Sequence, residues 1–232
     1  MSHLHIPDGI LPPLLWVVGL LLTVLGLAWS AWAGRGVGAR GIAFQSALGG
    51  IMLAVMALPV PITAFDYCMT LAGPVGVLLG AAGAFQVSFV VTLILALLGQ
   101  GGFTVIGLNA LVLGLSAVGA RPVYRLVRRP LGAARAMAVA TAVSQLAATA
   151  LWIVLLLLSV RLSPEVAGNH EVRHQLVVFG HGVGLAIGVP MLLLAVALEA
   201  LLGYGLARFL DRVRPDLLPF GDASRDTTGA PR

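Results

Sequence analysis

Two histidines lie within five residues of the amino terminus, in the segment Ser2-His3-Leu4-His5-Ile6-Pro7-Asp8-Gly9. A free amine, a neighbouring deprotonated amide nitrogen and an imidazole at the second or third residue can close fused chelate rings around one metal ion. Such an all-nitrogen planar set suits Ni(II) or Cu(II) and can also serve Co(II). The alternative is a solvated tail, but the turn predicted at Pro7, Asp8 and Gly9 gives the segment a defined bend.

A second set of potential ligands lies between Pro61 and Gly73, where Asp66, Cys68 and Met69 follow one another closely. Carboxylate, thiolate and thioether groups all bind metals and differ in softness. Cys68 is the only cysteine, so the chain can form neither an internal disulfide nor a cysteine-based zinc cluster. Because a lone cysteine at a helix start is also a common packing residue, these side chains form a site only if they meet the N-terminal segment in space.

Three further histidines and one acid complete the candidates. His170 and His174 are four residues apart, which on a helix places both on one face, although a loop with surface histidines has the same spacing. His181 begins an apolar stretch and can face the interior of a helical bundle. Glu199 is the only acid deep within an apolar stretch. Such an acid marks a functional site in a membrane protein or forms a hydrogen bond to a neighbouring helix.

The sequence lacks the motifs of several common catalytic sites. There is no Gly-x-x-x-x-Gly-Lys phosphate-binding loop, so the chain does not hydrolyse ATP by that mechanism. There is also no His-Glu-x-x-His and no Gly-x-Ser-x-Gly. We therefore expect that the protein is not an enzyme.

The composition indicates that a membrane bundle positions these residues. Hydrophobic residues make up 59% of the chain and charged residues only 10%, against about 25% charged residues in soluble domains. All 14 basic residues are arginines, and in a membrane protein such an excess reports topology rather than a nucleic-acid partner. The N-terminus has no basic segment followed by an apolar core and an Ala-x-Ala site, so we expect no removable signal peptide.

The apolar stretches predict an all-α, polytopic membrane protein with about seven transmembrane helices. A helix needs about 20 residues to cross the hydrocarbon core. The charge-free region 69–98 is too long for one straight helix, so we predict that it forms two short spans that meet near Gly83 and Ala84. The predicted spans lie in residues 10–33, 41–59, 69–98 (two spans), 105–124, 131–160 and 177–210.

The arginines predict the orientation of these spans. Seven spans place ten arginines, within residues 35–40, 121–135 and 208–214, on one side and leave only Arg161 and Arg173 on the other. The N-terminus is then outside and the C-terminus is cytoplasmic. We predict one transmembrane domain over residues 1–214, with an outer metal-binding segment at residues 1–9, and a polar, disordered cytoplasmic tail at residues 215–232.

Three segments resemble the CbiM/NikM family, the substrate-binding components of energy-coupling-factor transporters for cobalt and nickel. HIPDGILP at residues 5–12 is similar to the N-terminal signature of that family, and GQGGFTVIGLNAL at residues 99–111 is similar to its Gly-Asp-Gly-Gly-x-Thr-x-x-Gly-x-Asn segment. The interval from Glu199 to Arg-Pro-Asp-Leu-Leu at residues 214–218 resembles its last helix and cytoplasmic end. The three segments follow the order of the family and extend over nearly the whole chain.

The resemblance implies a multi-pass protein of the bacterial cytoplasmic (inner) membrane that captures a transition-metal ion, Co2+ or Ni2+, for import by an ABC transporter. The implied partners are a transmembrane coupling subunit, ABC ATPase subunits and membrane lipid, with room for a small accessory membrane subunit, and no organic cofactor is implied. The N-terminus is expected to fold back into the bundle, where the terminal amine, a histidine at position two and a histidine of the first outer loop hold the metal. Supporting or structural roles are expected for Asp8, Gln100, Asn109, His181 and Glu199.

The position of the N-terminal histidine departs from the family. The matching residue is His5, which is not the second residue of the chain. Removal of Met1 before the small Ser2 would leave His3 at position two. A true start at Leu4 would instead give that place to His5.

The histidine of the first outer loop is missing, because no histidine occurs between residues 5 and 170. Cys68, Met69 or Asp66 can replace it, or His181 or His174 can supply the ligand. A sulfur ligand would shift the preference toward Cu(I) or Zn(II). The alternatives to cobalt or nickel import are therefore a family member with lost or changed specificity (zinc, copper or an organic cofactor) and a regulatory or structural membrane subunit.

Overall fold

The computed structural model describes residues 6, 8–9, 11–58, 60–62, 65–162 and 182–219, with the backbone alone for residues 60–62, 65–67, 182–185 and 187. Two short strands, β1 (Val60–Ile62) and β2 (Phe65–Tyr67), lie between the second and third helices, and a 3-10 turn (Pro215–Leu217) follows the last helix. The helices are α1 (Pro13–Ala33), α2 (Ala39–Met56), α3 (Ala72–Leu97), α4 (Ile106–Leu162) and α5 (Gly182–Val213).

The predicted all-α membrane class is confirmed. Five helices within the described ranges are long and apolar enough to cross a membrane. The exception to the helical architecture is the antiparallel pair β1–β2, in which Pro61 lies opposite Asp66. The strands were not predicted, because three residues are too few to establish an alternating apolar pattern.

Helix α4 reverses its direction at Gly132. A straight helix of its 57 residues would be about 86 Å long, nearly three times the hydrocarbon thickness of about 30 Å. Gly132 has a non-helical conformation, with φ 74° and ψ 171°, which glycine adopts without a steric penalty. Val112 packs in one cluster with Trp152 and Tyr124 in another with Met137, so the two arms of α4 lie antiparallel.

Helix α3 also reverses, at Gly80, three residues before the predicted position at Gly83 and Ala84. Gly80 has φ 74° and ψ 179°, a conformation that is almost restricted to glycine. A Cβ atom at this position would also collide with the guanidinium group of Arg121. Gly83 instead lies within the regular helix and faces the side chain of Gln45.

The two arms of α3 run in opposite directions along the first arm of α4. Gly76 lies against Ala117, whereas Phe85, on the far side of the reversal, lies against Gly114. The first arm, residues 72–79, is only about 12 Å long, too short to cross a membrane. The non-helical residues that precede it continue inside the bundle, because Thr70 is buried.

Small residues allow the helices to approach closely. Gly19 of α1 lies against Leu108, and Gly26 of α1 lies against the ring of Phe85, at distances that leave no space for a Cβ atom. Small residues at such spacing favour close helix packing in lipid. Gly26 therefore serves the packing of α1 against α3 of the same chain, and not contact with a partner protein.

Helix α5 completes the bundle. It begins at Gly182, and the predicted start of this span at residue 177 lies outside the described residues. Beyond α5, Leu218 is buried in a cluster with Val77, Tyr124 and Met137. The first residues of the predicted polar tail therefore pack against the bundle, and residues 220–232 lie outside the described part of the chain.

We expect Gly80→Ala to lower the free energy of unfolding by about 1–3 kcal/mol, because a non-glycine residue is strained in this conformation and its Cβ atom would meet Arg121. Thermal unfolding in detergent measures the change. Gly119→Ala in α4 is the matched control, since nothing lies within 4 Å of a Cβ atom there and alanine favours a helix. Equal stability of the two variants would contradict the role assigned to Gly80.

Candidate functional site

A reciprocal pair of hydrogen bonds binds Ile6 into the bundle. The backbone N–H of Ile6 donates to Asn109 Oδ1 at 2.8 Å, and Asn109 Nδ2 donates to the carbonyl oxygen of Ile6 at 3.1 Å. Ile6 is only 5% exposed, so water competes little for these bonds. The Asn109 amide pairs with both the N–H and the carbonyl group of Ile6, as a residue of a neighbouring β-strand would. These two bonds fix the position of Ile6.

The carboxylate of Asp8 binds the loop before α4. The backbone N–H groups of Phe103 and Thr104 each donate to it at 2.8 Å, and the Thr104 hydroxyl also donates to it. Partial burial raises the pKa of the Asp8 carboxyl, but the hydrogen bonds from Thr104 and Phe103 lower it by more, so the pKa lies below its ordinary value. The contribution of these bonds to stability is therefore present above the ordinary carboxyl pKa and is lost as the pH falls through the lowered one.

Gly102 permits the close approach of these two segments. Its backbone N–H donates to the Ile6 carbonyl oxygen at 3.1 Å. A Cβ atom at this position would lie 2.6 Å from the backbone nitrogen of Asp8, so a larger residue would push the segments apart. We call the whole arrangement the N-terminal clamp, and it consists of Ile6, Asp8, Gly102, Phe103, Thr104 and Asn109.

Gln100 attaches the same loop to a third element. Its Nε2 donates to the carbonyl oxygen of Ala57, at the end of α2, at 3.3 Å. Asn109 lies in the first turn of α4. The clamp and Gln100 thus join the N-terminal segment, α2 and α4 at one end of the bundle, which we call the clamp end. The part that these residues take in metal binding stays a prediction.

Glu199 of α5 binds a second non-helical segment. Its Oε1 accepts the backbone N–H of Thr70 at 2.8 Å, and the Thr70 hydroxyl lies 3.0 Å from both carboxylate oxygens. Glu199 is 1% exposed, so water competes little for these bonds, and hydrogen bonds gain strength in a low dielectric. The acid noted in the sequence therefore holds the chain just before α3.

Glu199 is also linked to the start of α3. Thr70 Oγ1 accepts the backbone N–H of Ala72, the first residue of α3, at 3.2 Å. It thereby connects the Glu199 side chain to one of the N–H groups that a helix start leaves without a partner inside the helix. Leu71, between Thr70 and Ala72, has φ 52°, a left-handed conformation that costs a residue with a Cβ atom about 1–2 kcal/mol. The bonds to Thr70 hold this turn in place.

All five histidines of the chain lie outside the described residues, including the predicted ligands His3 and His5 and the predicted supporting residue His181. Within the described ranges, no three His, Cys, Asp or Glu side chains are grouped so that they could hold a metal ion. The ligand set therefore stays a prediction. The clamp begins at Ile6, the residue that directly follows His5.

The predicted loop ligands belong to the stretch that leads into α3. Asp66 lies on β2, where the backbone alone is described. Cys68 is buried and Met69 is half-buried. Because Thr70 is bound to Glu199, the two sulfur side chains directly precede a fixed point of the backbone.

Thr70 and Thr104 complete these contacts and were not predicted as functional residues. Thr104 occupies the threonine of the Gly-Asp-Gly-Gly-x-Thr pattern, and that pattern could have identified it. Thr70 has no comparable signal, since its role depends on a residue 129 positions later in the chain.

The helices and the bound N-terminal segment define a polytopic helical membrane protein with an organised polar site at the clamp end of its bundle. Residues 5–217 match the family described as the cobalt uptake substrate-specific transmembrane region, CbiM. The chain belongs to this family, which agrees with the expectation that it is a transport component and not an enzyme.

Two solved structures have the same fold. One, described as the crystal structure of a transition metal transporter, has a TM-score of 0.68 and 21% identity and covers 90% of this chain and 93% of its own. The other, described as a truncated transition metal transporter, has a TM-score of 0.67 and 20% identity and covers 89% of this chain and 97% of its own. No curated protein sequence matches the chain significantly.

We expect Asn109→Asp to release the N-terminal segment. A carboxylate keeps an acceptor for the Ile6 N–H but places an oxygen, instead of a donor, against the Ile6 carbonyl. The carbonyl then keeps only the Gly102 N–H, and the lost buried hydrogen bond together with the repulsion between two oxygens costs about 1–3 kcal/mol. Faster backbone hydrogen exchange in residues 6–12 would report the release. Gln86→Glu is the control, because it makes the same amide-to-acid change and Gln86 Oε1 is an acceptor for Gln45 in another part of the bundle. Unchanged exchange in Asn109→Asp would refute the clamp.

We expect Glu199→Leu to lower the free energy of unfolding by about 1–3 kcal/mol, because it leaves the buried backbone N–H of Thr70 without its acceptor. Thermal unfolding in detergent measures the loss. Asp216→Leu is the control, since Asp216 pairs with Arg214 in an exposed position, where ion pairs contribute about 0–1 kcal/mol. A loss of the same size in the control would argue against a special role for Glu199.

Proposed function

We propose that this protein captures a transition-metal ion, cobalt or nickel, at the outer face of a bacterial cytoplasmic membrane, as the substrate-binding component of an energy-coupling-factor ABC transporter. The observation that carries the proposal is the N-terminal clamp, which binds the backbone of Ile6 directly after the candidate ligand His5. Membership of the cobalt uptake family supports the same function.

The clamp restricts where the candidate ligands can lie. Consecutive Cα atoms are about 3.8 Å apart across a trans peptide bond, so anchoring Ile6 keeps His5 at the clamp end of the bundle. His3 is two residues further and stays within reach of the same place. We infer that the terminal amine, a backbone amide nitrogen and one or both imidazoles bind the ion there, since all-nitrogen sets suit Ni(II) and can serve Co(II).

The stretch before α3 is our candidate for the remaining ligand. Cys68 and Met69 precede Thr70, which Glu199 holds in place, and Asp66 lies on β2. A ligand on a backbone that is already fixed loses less conformational freedom when it binds a metal. In this proposal Glu199 is not a ligand. It positions the candidate ligands by holding the backbone at Thr70.

The proposed topology has seven spans, with the N-terminus outside and the C-terminus in the cytoplasm. The reversal at Gly132 supports it, because it divides α4 into two arms. At Gly80, the short first arm of α3 and the buried non-helical residues before it, which include Thr70, together form the proposed third span. Arg121 lies beside Gly80. The other arginines within residues 121–135 flank Gly132, away from the clamp end. Arg161, at the far end of the second arm of α4, fits the outer side by the positive-inside rule.

The proposed partners are a transmembrane coupling subunit and ABC ATPase subunits in the lipid membrane, with room for a small accessory membrane subunit. The need for ATPases is supported by the sequence, which has no phosphate-binding loop of its own. Co-purification of the chain with the products of neighbouring transport genes would test this assembly.

Equilibrium binding of Ni(II), Co(II), Zn(II) and Cu(I) to the purified protein tests the function. We expect Ni(II) or Co(II) to bind, and His5→Ala to weaken binding by more than about 100-fold, since the loss of outer-shell partners alone costs about 10–100-fold. His170→Ala is the matched control and should bind as the wild type does. The proposal fails if neither Ni(II) nor Co(II) binds and His5→Ala changes nothing for any metal.

The missing loop histidine supports a second candidate, in which the same fold imports a softer ion. No histidine lies between residues 5 and 170, and the loop offers Cys68 and Met69 instead. Thiolate and thioether ligands favour Cu(I), and thiolate also suits Zn(II). Competition between Cu(I) and Ni(II) for the purified wild-type protein separates the two candidates, because a site that serves the softer ion through sulfur ligands should bind Cu(I) in preference to Ni(II).

A further inference from the structure

A small cavity lies inside the bundle next to the N-terminal clamp, because Asn109 belongs to both. Its polar walls are the side chains of Asn109 and Ser116 on the first arm of α4 and Gln145 on the second arm, and Met56 of α2 closes it together with three aliphatic side chains. Its volume of about 10 Å³ is the space that the centre of one water molecule needs.

The hydroxyl group of Ser116 is the strongest sign of a ligand in this cavity. Ser116 is 1% exposed, and its Oγ has no hydrogen-bond partner in the part of the chain that the structure describes. A buried polar group without a partner costs about 1–3 kcal/mol. Native proteins rarely leave such a group unpaired, and use ordered water where no protein group can reach it.

Two side-chain amides provide the other contacts that a bound water would need. Asn109 uses one lone pair and one N–H on Ile6, and since a side-chain amide offers two N–H donors and two lone pairs, half of its capacity remains. Gln145 is buried and lines the opposite wall. Together with Ser116 this makes three polar partners, the usual number for a buried water.

The other buried hydroxyl groups without a described partner lack such a cavity. Ser88 lies on α3 and does not line it. Thr141 Oγ1 is packed against Gly73 and Gly203, where Cβ atoms would lie 2.6 and 2.8 Å from it. Of these three hydroxyls, the cavity therefore singles out Ser116.

We propose that this cavity is a binding site for one water molecule, held by Ser116, Gln145 and Asn109. Water fits better than a cation, because none of the described residues that line the cavity is acidic and an uncompensated charge is costly inside a protein. The water braces the Asn109 amide from the cavity side while the same amide binds Ile6. The site is independent of which metal, if any, the protein carries.

Radiolytic footprinting tests the proposal. X-ray irradiation forms hydroxyl radicals at protein-bound water, and in the presence of dissolved oxygen these radicals oxidise adjacent thioethers to sulfoxides. Met52 and Met56 both lie on α2 and are fully buried, but only Met56 lines the cavity. In the detergent-solubilised full chain, we expect peptide mass spectrometry to show severalfold faster oxidation of Met56 than of Met52. Equal rates would overturn the proposal.

Variants of Ser116 connect the oxidation to this site. Ser116→Val removes the hydroxyl and fills the cavity, and should reduce Met56 oxidation to the rate of Met52. Ser116→Ala removes the hydroxyl without added volume, so it keeps the test valid if the valine variant does not fold, and it should also slow Met56 oxidation. Ser88→Val is the matched control and should leave the Met56 rate unchanged. An unchanged rate in the folded Ser116 variants, or an equal fall in Ser88→Val, would contradict the proposal.

Discussion

A peptide group buried in a membrane bundle has no water to bind, and this constraint accounts for the contacts of Asn109 and Glu199. The helices satisfy their own backbone groups, but residues 6, 8–9, 68–71 and 102–104 do not form helices. Asn109 binds the backbone of the buried Ile6, and Glu199 binds the backbone N–H of the buried Thr70. Asp8 binds two N–H groups before α4 at the exposed end of the bundle. Each of these side chains replaces a missing backbone partner, and in doing so fixes a segment that carries or adjoins the candidate metal ligands.

The fold could be predicted further from the sequence than the site. Hydropathy and charge indicated a helical membrane protein, and a charge-free stretch too long for one helix indicated the break in α3. The sequence could not select Gly80 over Gly83, because the choice depends on Arg121, which approaches from another helix. Glu199 was recognisable as a buried acid, but its partner Thr70 was not, since nothing local marks a threonine that bonds across 129 residues. The histidine ligands lie outside the described residues and stay predictions.

The clamp lowers the conformational entropy cost of metal binding at the proposed capture site. Fixing the backbone of one residue costs about 1–2 kcal/mol, and folding has already met this cost for Ile6 and Asp8. In the proposed function, these anchored residues give the candidate ligand His5 a rigid base, which contributes to affinity without supplying a ligand.

The hydrogen bonds of the site join parts of the chain that are made at very different times. The partner of Ile6 comes 103 residues after it, and that of Thr70 comes 129 residues after it, in the last helix. During synthesis, the N-terminal segment emerges first and has no docking place until the start of α4 has been made. The loop before α3 is held only once α5 has been inserted. A chain interrupted before α5 would keep most of its apolar helices and still lack the anchor of that loop, so a complete site is also a sign that the last helix has been inserted.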